Sequence, residues 1–180
     1  LCRYYTGHYT GVDVLYGDIG DTPAEIRAVH DYSVRAKKPF EYNYVIGTDE
    51  DDLVYEYAGP FQAAHSAGEN GISIGVLFML GTNEYPTDTM IRKWQWLRDV
   101  LVWFQVLANP PEQRPHREMP GAATACFGPH LYARWPQMLQ KYEAPQTAPL
   151  PPTPPPPPPP PPPTTPPPVG PGIVQGGRYT

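Results

Sequence analysis

Cysteine is scarce: Cys2 and Cys126 are the only two in 180 residues, too few for a disulfide framework in a chain with this much core-forming sequence. Long apolar runs are missing as well. The longest, Ile72 to Leu80, includes Ser73 and Gly75 and falls far short of the roughly 20 residues that cross a bilayer, so no transmembrane helix is expected. Positive charge is in deficit, with 13 Lys and Arg against 18 Asp and Glu for a net charge of -5. Phosphate backbones are bound by cations clustered on one face, which excludes nucleic acid as the expected partner. The first residues carry neither an initiator Met nor a basic segment followed by an apolar stretch, so no secretory leader is read there and the chain is taken as an excised piece.

Proline is what the chain has in excess, 28 residues in all. Most stand after Ala144, so residues 1–143 are expected to hold the whole core as one domain and residues 144–180 to form a proline-rich tail. The unbroken run Pro154 to Pro163 has no backbone donor and implies extended polyproline II. At ~3.1 Å per residue it would span on the order of 30 Å as a stiff spacer. Proline-reading domains bind such a helix, but no basic residue flanks the run and a spacer is the better reading.

Within the domain, Arg3 to Thr10 is rich in aromatic and β-branched residues and reads as a strand that places His8 near its end. T-P-A-E at Thr22 to Glu25 is a capping box opening a helix from about Pro23 to Ala36, with Ile26, Val29 and Val34 on its apolar side. Glu41 to Gly47 and Leu53 to Ala58 read as a hairpin around Asp49 to Asp52. That acidic turn lacks the spacing of an EF-hand and suits a turn better than calcium. Ile72 to Leu80 has the pattern of a central strand covered on both faces. Thr87 caps a second helix with Ile91, Trp94, Leu97, Leu101 and Phe104 along one stripe. After a loop at Asn109-Pro110-Pro111, a third helix from about Pro129 to Tyr142 is expected to be kinked or interrupted by Pro136. The order predicts an α/β domain with a mixed central sheet and helices packed on both faces.

Chemistry is carried by few residues. His116 and Cys126 share one loop whose Pro and Gly let it fold back, so an imidazole and a thiolate could bind one ion. Zinc accepts both donor types, and a catalytic site uses three protein ligands with a fourth position open. His8 is the candidate third ligand. The spacing is none of the short self-contained zinc patterns, and the alternative is a small buried Cys126 beside ordinary loop histidines. His30 reads as a packing histidine and His130 as a solvated one.

Four segments stand in order: H-Y-T-G at His8, Y-N-Y-V-I-G at Tyr42 to Gly47, A-A-H-S-A-G-E-N-G-I-S-I-G-V at Ala63 to Val76, and H-R-E-M-P-G-A-A-T-A-C-F-G-P at His116 to Pro129. Together they resemble the zinc-dependent N-acetylmuramoyl-L-alanine amidase family, which includes bacteriophage lysozyme-type amidases and animal peptidoglycan recognition proteins. The resemblance runs from about His8 to Trp135. It implies zinc held by His8, His116 and Cys126, with Tyr42 as catalytic residue. Where some phage enzymes carry a Lys two residues before the Cys, this chain has Thr124, whose hydroxyl is the implied replacement. His65 and Asn70, in A-H-x-x-G-x-N, are implied near the substrate, His65 as a structural or substrate-contacting residue and not a ligand. By period two, Tyr44 and Ile46 should share the face of Tyr42 and line or underlie the cleft.

The implied reaction is hydrolysis of the amide between N-acetylmuramic acid and L-alanine of bacterial peptidoglycan. A phage endolysin catalytic domain made in a host cytoplasm, acting at the cell wall and tethered by the proline spacer to a further wall-binding module, is the expectation. A secreted enzyme stripped of its leader would read the same. The alternative is a peptidoglycan-binding module without catalysis, against which Cys126 and Tyr42 argue.

Overall fold

The computed structural model describes residues 1–11, 22–38, 41–48 and 53–144. The chain divides into Leu1–Ala144 and Pro145–Thr180. The proline tract, and the acidic turn weighed above for calcium, lie outside the described residues.

A five-stranded sheet organises the first unit, in the order β3-β2-β4-β1-β5. Its strands are β1 (Cys2–Tyr9), β2 (Tyr44–Ile46), β3 (Tyr55–Glu56), β4 (Ser73–Phe78) and β5 (Leu107–Pro115). β1 runs parallel to both β4 and β5, β4 runs parallel to β2, and β3 closes one edge antiparallel to β2. The sheet is therefore mixed. β4 is wholly buried, as its near-continuous apolar sequence requires of a central parallel strand.

Helices cover both faces. Helix α1 (Thr22–Arg35) lies with Val45, Leu77 and Met79 through Ile26 and Val29. On the other face α2 (Asp88–Trp103), α3 (Pro129–Ala133) and α4 (Trp135–Met138) enclose the main core of Tyr5, Ile74, Val76, Phe78, Trp94 and Phe127. Thr87 caps α2 as its sequence predicts, accepting from the Met90 N–H at 3.2 Å. Tyr5 donates its hydroxyl to the Trp94 carbonyl at 3.0 Å, tying the sheet to that helix.

Several expectations need correction. The segment around Asn109-Pro110-Pro111 is strand β5 and not a loop. It stands at a sheet edge, where a missing N–H costs no ladder bond. The third helix is interrupted as expected, into α3 and α4 at Arg134 with Pro136 in the first turn of the second piece, but it ends at Met138, short of Tyr142. On α1 it is Ser33 that is buried, donating to Glu41, while Val34 is exposed. Phe104 lies past the end of α2 and is 64 % exposed. His30 meets the Tyr57 hydroxyl at 3.0 Å, as expected of a satisfied packing histidine, and His130 is half-buried and stacks on the exposed Tyr85 with ring centroids 3.8 Å apart.

Candidate metal centre

Strand alternation sorts β1 into two sets of side chains. Tyr5 joins the main core, and Gly7 lies against Phe127, whose ring a Cβ there would meet at 2.3 Å. Thr6 and His8 point to the opposite face, where Thr6 donates to the Met119 sulfur at 3.4 Å. His8 is almost fully buried on that face. β5 ends at Pro115, beside Gly7, and the chain turns into a short 3-10 segment, His116–Glu118. The loop then folds back on itself: the Arg117 N–H donates to the Cys126 carbonyl at 3.2 Å, and its guanidinium donates to the Ala125 carbonyl at 2.7 Å.

These elements bring His8, His116 and Cys126 together, with one donor atom from each within 4.8 Å of the others. The His8 Nδ1 to Cys126 Sγ distance is 3.8 Å, against about 3.6 Å expected across a tetrahedral zinc from ordinary Zn–N and Zn–S lengths. The rings of His8 and His116 lie 4.4 Å apart. Among the described residues His116 Nδ1 is buried without a hydrogen-bond partner, a cost that a ligand in that position removes. Two imidazoles and a sulfur, one nitrogen orphaned, fit zinc. Both cysteines are free thiols.

The electrostatics suit neutral ligands. Burial first, then His65 and His116, hold the His8 imidazolium well below the ordinary histidine range. Burial lowers His116 as well. It brings His65 down to about 4, helped by His116 and opposed by a hydrogen bond to the Ser73 main chain. The Cys126 thiol is pushed up to about 11 by burial, with the Tyr9 backbone and Arg117 pulling the other way. Binding a metal there must therefore displace the thiol proton.

Tyr42 lies with its ring edge-on to His8, centroids 5.3 Å apart. Burial, then Glu41 and Cys126, raise its hydroxyl far above the usual range, so it stays a proton donor. Thr124 Oγ1 accepts from the Cys126 N–H at 3.0 Å, which fixes the turn and leaves its own O–H to donate elsewhere. Beside the trio is a cavity of about 280 Å³ lined by Ala64, His65, Ser66, His116, Gly121 and Thr124, among others.

Tyr44 is placed otherwise than expected, and Asn70 makes bonds within the protein. Tyr44 does not share a face with Tyr42: it lies in the main core with Tyr5 and Ile46, while Tyr42 packs with Val45 on the opposite face. The regular strand begins only at Tyr44. Before it, Asn43 breaks the alternation, its amide donating to the Gly59 and Phe61 carbonyls and its Oδ1 accepting from the Gly75 N–H, each at 2.7 Å. Asn70 turns its Oδ1 inward to the His65 and Ser66 N–H groups, at 3.0 and 2.7 Å, and so shapes the loop that carries His65.

Sequence reasoning missed three residues around His65. Its Nε2 lies 3.1 Å from Ser73 Oγ, its ring lies over Gly75, and Ser66, which lines the cavity, has a buried Oγ without a partner among the described residues. The signal for two of them was present: Ser73 and Gly75 are the breaks in an apolar run, two apart and so on one face.

No family model matches the chain, and no curated protein matches its sequence. Solved structures do match. PGRP-SA, a peptidoglycan recognition protein of the bumblebee, superposes with a TM-score of 0.65 at 20% identity, covering 80% of this chain and 86% of that one. Wild-type Drosophila PGRP-LB gives 0.64 at 23% identity over 76% and 82% of the two chains. The ectodomain complex of peptidoglycan recognition proteins LCa and LCx bound to tracheal cytotoxin gives 0.61 at 25% identity over 76% and 83%. The chain has the α/β fold of peptidoglycan recognition proteins and amidases.

Proposed function

We propose that the protein is a zinc-dependent amidase that cleaves peptidoglycan between N-acetylmuramic acid and L-alanine, acting at the bacterial cell wall. The observation that carries the proposal is the grouping of His8, His116 and Cys126 donor atoms within 4.8 Å beside an open cavity. Held by His8, His116 and Cys126, zinc would supply Lewis acidity and bring the pKa of water down toward roughly 7. His8 and His116, kept neutral by burial, present lone pairs without competition from a proton.

Tyr42 holds its proton through the neutral range and lies beside His8, where its O–H donates to the oxyanion that develops as the amide carbonyl is attacked. Thr124, on the cavity wall, adds a second O–H. A donor already in place for that charge is worth about 3–4 kcal/mol in well-studied cases, or 10²–10³ in turnover. Asn70 and Asn43 hold the segments carrying His65 and Tyr42, so the groups need little reorganisation.

Binding without cleavage is the second reading, favoured by a structural neighbour described as bound to tracheal cytotoxin. Mass spectrometry of purified peptidoglycan digested with zinc, and again after chelation, separates the two. An amidase releases stem peptides with new L-alanine amino termini only when zinc is present. Retained wall affinity with no new termini at any zinc concentration would leave the binding module.

A further inference from the structure

We propose that His65 and Ser73 form a hydrogen-bond relay that fixes His8 as its Nε2–H tautomer, which makes His65 a positioning residue for the metal centre. The inference rests on the zinc reading above only for its consequence; the relay itself is a property of the chain. Its polarity is set at the far end by a group that can only accept. Ser73 Oγ lies 2.6 Å from the Glu69 carbonyl, so the serine hydroxyl donates there and its lone pairs are left for its other neighbour. That neighbour is His65 Nε2, 3.1 Å from Ser73 Oγ and 3.4 Å from the Ser73 carbonyl. Both oxygens accept, so the proton of a neutral His65 belongs on Nε2 and its Nδ1 is bare.

His65 Nδ1 lies 3.1 Å from His8 Nε2. With a bare nitrogen on one side, His8 Nε2 must donate, and a neutral His8 then has its lone pair on Nδ1. That is the nitrogen 3.8 Å from Cys126 Sγ. Both rings are almost fully buried, an environment that disfavours the doubly protonated, charged form.

His65 is also held rigidly. Its N–H and that of Ser66 are captured by Asn70 Oδ1, and its ring lies so close to the β4 backbone that a Cβ on Gly75 would come within 2.4 Å. A substrate-contacting histidine would leave a ring nitrogen for substrate. Here both nitrogens are occupied within the protein.

The test uses the whole chain with ¹⁵N-labelled histidine, free of metal, where long-range ¹H–¹⁵N spectra read the protonated nitrogen of each ring. His8 is expected as a single Nε2–H species. Zinc affinity by chelator competition is the second readout: His65→Leu, which removes the acceptor, should weaken binding 10- to 100-fold, the range for losing the outer partner of a metal-bound histidine. His65→Asn puts Oδ1 where Nδ1 stands and should restore most of that loss. A proton on His8 Nδ1, or one exchanging between both nitrogens, overturns the relay, as does a folded His65→Leu protein with unchanged affinity. Equal losses for the two variants would also overturn it. Should the native protein bind no zinc, the metal reading fails while the spectra still decide the relay.

Discussion

Gly75 is the position at which a single methyl group tests the geometry of the site. A Cβ built there meets His65 Cγ at 2.4 Å, Cδ2 at 2.6 Å and Nδ1 at 2.7 Å, whereas unstrained carbon contacts lie at about 3.5–4.0 Å. The imidazole of Gly75→Ala must recede by roughly 1 Å, because the strand cannot. β4 is central, paired on both sides, and Gly75 is clamped to Asn43 by a bond in each direction, at 2.7 and 2.9 Å. A shift of that size disrupts the 3.1 Å contacts that His65 makes with His8 and Ser73. Overpacking of this kind costs about 1–3 kcal/mol, or roughly 4 °C in melting temperature per kcal/mol for a domain of this size. Zinc affinity should fall about 10-fold or more through the misplaced His8. Gly71→Ala is the matched control, since a Cβ there has nothing among the described residues within 4 Å. Thermal unfolding of the metal-free protein and chelator competition read the two effects. A Gly75→Ala protein that melts and binds zinc like Gly71→Ala would refute the packing of His65 on β4.

Cys126→Ala and His116→Ala should each abolish zinc retention on dialysis together with turnover, and a fully loaded, active Cys126→Ala protein would contradict the ligand set. Tyr42→Phe should keep its zinc and lose about 10²–10³ in turnover on peptidoglycan, as expected for one missing oxyanion donor; an unchanged rate would remove Tyr42 from the chemistry. Thr124→Val leaves the Cys126 N–H without its acceptor and should cost about 0.5–1.5 kcal/mol in a urea titration, with Thr124→Ser recovering both stability and rate. Acid should destabilise the metal-free protein. His65 titrates near 6.5 when unfolded and near 4 when folded, so between those values the unfolded chain binds more protons. The contribution is complete above 6.5 and lost toward 4, on the order of 3 kcal/mol at most. Urea midpoints at pH 7.5 and 5.5 should therefore differ, and His65→Asn should shrink the difference.

The parts of this fold that follow local rules were legible in the sequence. Thr87 and the stripe from Ile91 to Leu101 identify α2, and the apolar run identifies β4 as central, because capping and burial act within a few residues. Tyr44 was misplaced for a non-local reason. Period two holds only while the backbone stays pleated, and the bonds that pull Asn43 out of that pattern go to Gly59, Phe61 and Gly75, all distant in sequence. The His8, His116 and Cys126 group was legible through ordered motifs and not through spacing, since its members come from a strand and both ends of a loop. Asn70 was assigned by its place in a motif. Its bonds are to backbone N–H groups four and five residues back, which no side-chain pattern reveals.

β5 was missed because two consecutive prolines read as a loop, yet those prolines belong to the segment that aligns the candidate metal centre. The strand begins with Leu107 opposite Cys2 and resumes with Glu112 opposite Tyr4, so three more residues lie on β5 than on β1 across the irregularity. With the shifted register Pro115 stands opposite Gly7, and the next residue of each chain segment is a histidine of the candidate metal group. A regular ladder continuing from the Cys2 to Leu107 pairing would set Gln113, not His116, at the level of His8. Because side chains alternate, a slip of three residues also reverses which face a given residue takes. The bulge thus determines both the height and the face of His116, and parallel pairing with β1 carries that alignment from the edge of the sheet to the donor nitrogen.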